Sequence, residues 1–242
     1  MKHLTVALLV FGCSAASAPA FAQTMQWTDK GYISVNGGLQ AGSDTLDTSS
    51  TFSLYDETAS VTSTQKVKGG AFFDIGGAYR VWGKNLLAGV SFSHTSSDAD
   101  VSVIAIIPDP IRFDQPRTVN QTVGGAKHTE SVVHISAIWM IPVANKIDVG
   151  LFAGPSIFLI NQQTIGTPTV TEPGPIVSTP LVEIKKSSGG LHAGIDVQYM
   201  IAKQWGVGGL ARYTWGSATI AGATEKLTLG GFQIGAGARV RF

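Results

Sequence analysis

The sequence is short of cysteine, of charge and of long apolar runs, and each shortage excludes something. A single cysteine, Cys13, stands among 242 residues, so the chain holds neither an internal disulfide framework nor a multi-cysteine metal site. Charged residues make up 14% and the formal net charge is +1. That balance supplies no basic field, and no nucleic-acid partner is expected. Past the N-terminus, no stretch approaches the roughly 18 consecutive apolar residues of a helical membrane span. The sequence has no P-loop, dinucleotide fingerprint or nucleophile elbow. His94 and His192 lie on different segments without ligand spacing. No cofactor and no metal site is expected.

Glycine, by contrast, is plentiful at 29 residues, with aromatics at 9%. Little charge and much glycine suit closely packed strands, and a chain of this length fits one all-β domain. The N-terminus points to export. Lys2 and His3 precede an apolar run from Leu4 to Phe11, and Ala20 and Ala22 form an A-x-A cleavage site before Gln23. Residues 1–22 are therefore expected to be a secretory signal peptide and 23–30 a short lead. Val10-Phe11-Gly12-Cys13 offers a competing lipoprotein box, which Phe11 fits poorly.

From residue 31 the pattern has period 2. Its clearest instance is Gly231–Phe242, where Phe232, Ile234, Ala236, Ala238, Val240 and Phe242 share one face. Gly231, Gln233, Gly235, Gly237, Arg239 and Arg241 share the other. The same alternation predicts strands over 31–42, 70–82, onward from Leu86, about 128–141, 147–161, 189–201 and 205–217, which makes eight. Long polar connections are expected at 43–69, 105–127 and 164–186, and a shorter one near 219–226. Residues 51–55 could prolong the ribbon within the first. Tight turns are expected elsewhere, including a two-residue Gly83-Lys84 hairpin, and Pro155 is expected to mark a bulge or an edge of pairing. Short turns on one side and long loops on the other give an eight-stranded antiparallel up-and-down transmembrane β-barrel over 31–242. A soluble extracellular barrel would share the alternation.

Three features favour lipid. The bulky phase of most strands opposes a phase of Gly, Ser and charge, which an eight-stranded interior can just accommodate. No charged residue falls in the apolar phase of the strand centres, where Lys or Arg would cost roughly 2–4 kcal/mol. Aromatics gather at strand ends, with Trp139, Tyr199, Trp205 and Phe242 at one rim and Phe73, Tyr213 and Trp215 at the other. The ten residues from Trp205 to Trp215 span about 25 Å at a tilt of about 40°. The terminal aromatic with alternating apolar residues before it resembles the sorting signal of the outer-membrane barrel assembly machinery. The run 31–242 resembles the small OmpA-like, eight-stranded outer-membrane barrels of Gram-negative bacteria. That resemblance implies the outer membrane as location, with its lipid and the assembly machinery as partners, and implies little about activity.

The interior phase carries the candidate site: Asp74, Arg80, Glu130, His134, Ser136, Asp148, His192, Asp196, Arg212, Arg239 and Arg241. Confined charges must pair, so these are expected to fill the lumen as a polar network. Folding the chain about Lys203 sets Asp196 opposite Leu210 and diagonal to Arg212, an expected ion pair. His134-Ile135-Ser136 is similar to the His-x-Ser pair of outer-membrane lipid A deacylases, with Glu130 on the same face to orient the imidazole. Those enzymes act on lipid, whereas the phase here turns both residues inward. The expected role is structural or surface-interacting, with an extracellular partner for the long loops. A narrow passive pore is one alternative and a lipid A-modifying enzyme another.

Overall fold

The computed structural model describes residues 27–172 and 176–242. The signal-peptide expectation, with Ala20, Ala22 and Cys13, lies outside the described residues. Among the described residues twelve strands follow in chain order: β1 (Gly31–Ala41), β2 (Ser43–Leu54), β3 (Glu57–Lys68), β4 (Ala71–Trp82), β5 (Leu86–Ile107), β6 (Arg117–Ala144), β7 (Ile147–Ile165), β8 (Thr169–Thr171), β9 (Ile176–Ser178), β10 (Leu181–Met200), β11 (Trp205–Ala218) and β12 (Leu227–Arg241). Eight of them close a ring, β1-β4-β5-β6-β7-β10-β11-β12, every neighbouring pair antiparallel. β12 returns to β1 with Tyr32 opposite Arg241 and Ala41 opposite Phe232, so neither strand is left as an edge.

The long connections are more ordered than the sequence suggests. Residues 43–69 are not a polar loop but the β2–β3 hairpin, whose tip alone turns, at Tyr55 and Asp56, both at positive φ. Their Ser and Thr content hides a strand period, with Ala59, Val61, Ser63, Gln65 and Val67 turned inward and Thr62, Thr64 and Lys66 outward. β-branched threonine suits a pleated surface as well as it suits a loop. β5 and β6 likewise run past the expected boundaries and stay paired as far as Ile107 and Arg117, leaving only 108–116 as loop. The three prolines of that loop end the ladder. Within the third connection β8 pairs with β9.

Two local expectations need correction. The β4–β5 turn takes three residues, 83–85, with Gly83 at φ +55 and a register shift between Arg80 and Trp82. Asn85 fixes it, because its side chain donates to the Met140 carbonyl at 2.6 Å and its own carbonyl accepts from Met140 N at 2.8 Å. Pro155 brings no bulge, since the β6–β7 register is the same at His134–Ser156 and at Ala137–Ala153, but the pairing is interrupted between them, at Pro155 and Gly154, as an edge of pairing requires.

The interior is layered. At the short-turn end Trp27, Tyr32, Ala78, Leu87, Ile138 and Met140 form an apolar floor. A polar band follows. Above it Leu46, Val67, Val132, Phe158, Ile160, Leu227 and Leu229 form an apolar ceiling, to which the β2–β3 hairpin contributes by folding over the mouth. A further apolar cluster, with Val61, Val101, Val103, Ile107 and Val177, sits where the prolonged hairpins pack on one another.

Candidate functional site

The polar band is built from side chains on the inner phase of all eight ring strands. Asp196 is opposite Leu210 in the β10–β11 register, yet its ion-pair partner is Arg239 of β12 and not Arg212. The cause is glycine. A Cβ on Gly208 would lie 2.8 Å from the Arg239 guanidinium carbon, so the bare backbone of β11 lets Arg239 lie across it to reach β10. Arg212 instead crosses the lumen to Asp74 of β4, at 3.0 Å. Asn36 joins the two pairs, donating to Asp74 at 3.0 Å and accepting from Arg239 at 2.7 Å. All four charged groups are buried, and a buried charge is tolerable only with such compensation.

From Arg212 the network climbs. Its Nε donates to Gln233 at 2.7 Å, Gln233 to Gln40 at 2.6 Å, and Gln40 to Glu130 at 3.1 Å. Glu130 lies 3.0 Å from His128, which lies 2.7 Å from Gln162. It also accepts from the backbone of Gly230, at 3.2 Å. Below, Arg241 pairs with Asp148 at 2.5 Å, donates to Gln198, and stacks 4.5 Å over the Trp27 ring. Arg80 is only partly buried and donates to the Trp27 carbonyl at 3.2 Å, fastening the lead beneath the barrel.

The His-x-Ser pair is not assembled as a catalytic unit. Ser136 lies 2.8 Å from His192, and His134 bonds Ser93 and Ser156. Glu130 orients His128, not His134. Among the described residues no carboxylate hydrogen-bonds either imidazole, so neither has the orienting third member of a triad there. Among the described residues no group of three or more His, Cys, Asp or Glu is placed to hold a metal.

On the outer surface Phe73, Trp139, Tyr199, Trp205, Tyr213, Trp215 and Phe242 are all between 41% and 60% exposed. Tyr79, Trp82 and Phe232 join them, though sequence reasoning did not single them out. The same reasoning missed Asn36, Gln40, Ser93, His128, Ser156, Gln162, Gln198 and Gln233 as network members. Their inward phase was the available signal; neutral amides and hydroxyls simply attract less notice than charges. Trp27 had no periodicity to reveal it, since it precedes the first strand.

A closed antiparallel ring with a polar interior and an outer belt of exposed Ile, Val, Leu and aromatic side chains defines an outer-membrane β-barrel. The family model described as outer membrane protein beta-barrel domain matches residues 5–239, and the chain belongs to that family. Its location is the outer membrane. Among solved structures it is similar to Neisserial surface protein A, at 15% identity and TM-score 0.44, over 88% of this chain and 97% of that one. OprG from Pseudomonas aeruginosa matches at 11% identity and TM-score 0.44, over 90% and 99%. Ail of Yersinia pestis, in complex with the heparin analogue sucrose octasulfate, matches at 10% identity and TM-score 0.36, over 87% and 99%. Comparison with curated protein sequences found no match.

Proposed function

We propose that this protein is a non-conducting outer-membrane barrel whose work is done at its long-loop end, as a surface-interaction module on a rigid stalk. The observation that carries the reading is the apolar cluster formed by the prolonged hairpins, with Val61, Val101, Val103, Ile107 and Val177 buried together. Loops that serve only to connect strands need no core of their own. A second core fixes the hairpins as one body and so presents their tips in a set geometry, which lowers the entropy lost on binding. Polar clamps reinforce it: Arg117 pairs with Glu172 at 2.5 Å, and the Asp114 backbone donates to Glu57 at 2.9 Å. At the tip between them Ile111 is 91% and Phe113 74% exposed.

The filled lumen argues against the pore. Arg239, Asp196, Arg212, Asp74 and Asn36 interlock across its middle, between an apolar floor and an apolar ceiling. Two measurements test the reading. Reconstituted in planar bilayers the protein should stay silent, and steady single-channel steps would replace this proposal by the pore. Replacing residues 108–116 with a short glycine-serine turn should leave the barrel folded while cells expressing it lose surface attachment. Unchanged attachment would remove the tip from the function. The closing strand, ending on Phe242, is the segment we assign to recognition by the assembly machinery.

A further inference from the structure

Serine and histidine side chains on the inner faces of β5, β6, β7 and β10 form a chain outside the ion pairs. Ser93 Oγ lies 3.0 Å from His134 Nε2, and His134 Nδ1 lies 2.8 Å from Ser156 Oγ. Ser156 Oγ lies 2.9 Å from His192 Nδ1, and His192 Nε2 lies 2.8 Å from Ser136 Oγ. Ser93, His134, Ser156 and His192 are buried. A hydroxyl has one proton to give, and a neutral imidazole has one N–H and one bare nitrogen. Ser156 stands between two Nδ1 atoms, so it donates to one and accepts from the other. With all four bonds made, the two imidazoles are opposite tautomers, and the bonds point the same way along the chain. In either direction Ser136 has one hydrogen bond still to make.

Ser136 borders a cavity of about 50 Å³ that is also lined by Ser91, Asp74, Asp196, Arg212 and Arg239. Two atoms of that lining are unsatisfied. Asp74 Oδ2 and Arg212 Nη2 are buried without a hydrogen-bond partner, although they approach each other to 3.0 Å. The pair is close enough for Coulomb attraction but misaligned for a hydrogen bond. Buried polar atoms in native proteins are nearly always satisfied, by water where protein does not reach. A polar cavity of this size, with several donors and acceptors, has room for one or two waters.

We propose that this cavity is a water-binding site, in which one or two ordered waters link Asp74 Oδ2 and Arg212 Nη2 to the Ser136 hydroxyl. The waters join the two Asp–Arg pairs and the oriented Ser–His chain into one hydrogen-bonded network across the middle of the barrel. The lumen is then filled by protein and solvent together, and its two histidines are held in complementary states through Ser156.

Solid-state NMR on the ¹³C,¹⁵N-labelled protein in phosphatidylcholine bilayers tests this. The expected result has three parts: water cross-peaks at the Arg212 guanidinium and at Ser136, one histidine protonated at Nδ1 and the other at Nε2, and no change on exchanging sodium for potassium. Absence of the water cross-peaks, the same tautomer at both histidines, or a cation-dependent shift at Asp74 would each overturn it. Ser136→Ala should keep the Arg212 water cross-peak and move the His192 Nε2 resonance. Ser156→Ala should make the state of His134 independent of that of His192. Heat-dependent gel mobility reports whether each variant folds, and the wild-type spectrum decides the proposal if neither does.

Discussion

At the residue scale, the lumen is arranged by what glycine leaves open as much as by what the charged groups attract. Gly208 clears the path of Arg239 to Asp196, which is why the diagonal rule pointed to Arg212 and missed. The register itself was legible: Asp196 stands opposite Leu210, as folding about Lys203 requires. Which of several arginines in one phase takes which aspartate depends on contacts around the ring, and a single hairpin does not contain them. Asp196→Ala should therefore strand Arg239 and cost about 3–5 kcal/mol, the usual penalty for removing one partner of a buried pair. Urea unfolding in detergent micelles measures it, and the paired change Asp196→Leu with Arg239→Met should recover most of the loss. A midpoint unmoved by Asp196→Ala alone would refute the pairing. Backbone approach makes a second prediction. A Cβ on Gly237 would sit 1.8 Å from the Val35 carbonyl oxygen, so Gly237→Ala should push β12 off β1. Overpacking of this kind costs about 1–3 kcal/mol, read as a lower melting temperature of the compact gel form.

At the element scale, the ribbons above the barrel were the least legible part. The strand centres facing lipid alternate strongly because one neighbour is hydrocarbon. In β2 and β3 both environments are partly polar, so Thr62, Thr64 and Lys66 opposite Ser63 and Gln65 carry little contrast. The clamp on these ribbons is electrostatic and should depend on pH. A hydrogen bond from Arg117 holds Glu172 below the ordinary carboxylate range. The backbone N–H of Ile111, with that of Arg112 and the charge of Arg117, does the same for Asp109. A depressed carboxylate contributes order that is fully present above its unfolded value, roughly pH 4, and is lost as pH falls through the folded value. Protease nicking within 108–116 should thus be slow and constant at neutral pH and rise on acidification below about pH 4, with the barrel strands still protected from exchange. Arg117→Ala should show the fast nicking already at neutral pH. Both carboxylates are partly exposed on the surface, so the effect is local and screened by salt.

At the scale of the whole molecule, the closed ring was legible because eight alternating segments with unequal connections leave few other arrangements for so many half-apolar strands. The outer surface carries the bulky phase, and the interior holds what remains. Closure predicts that the unheated protein runs faster than the boiled one on a detergent gel, and mobility independent of heating would contradict the ring. The seam has one further property. The backbone of Phe242 accepts from Lys30 at 2.7 Å and donates to Gly31 at 3.1 Å, so the two strand ends already touch. The ends of β1 and β12 are therefore close enough to be spliced once the lead before Lys30, which carries Trp27, is given up. A circularly permuted chain, joined from Phe242 to Lys30 and opened within 108–116, keeps every ring pairing. Refolded in detergent, such a chain should still close and run compactly when unheated, and loss of the heat-dependent mobility would contradict the seam.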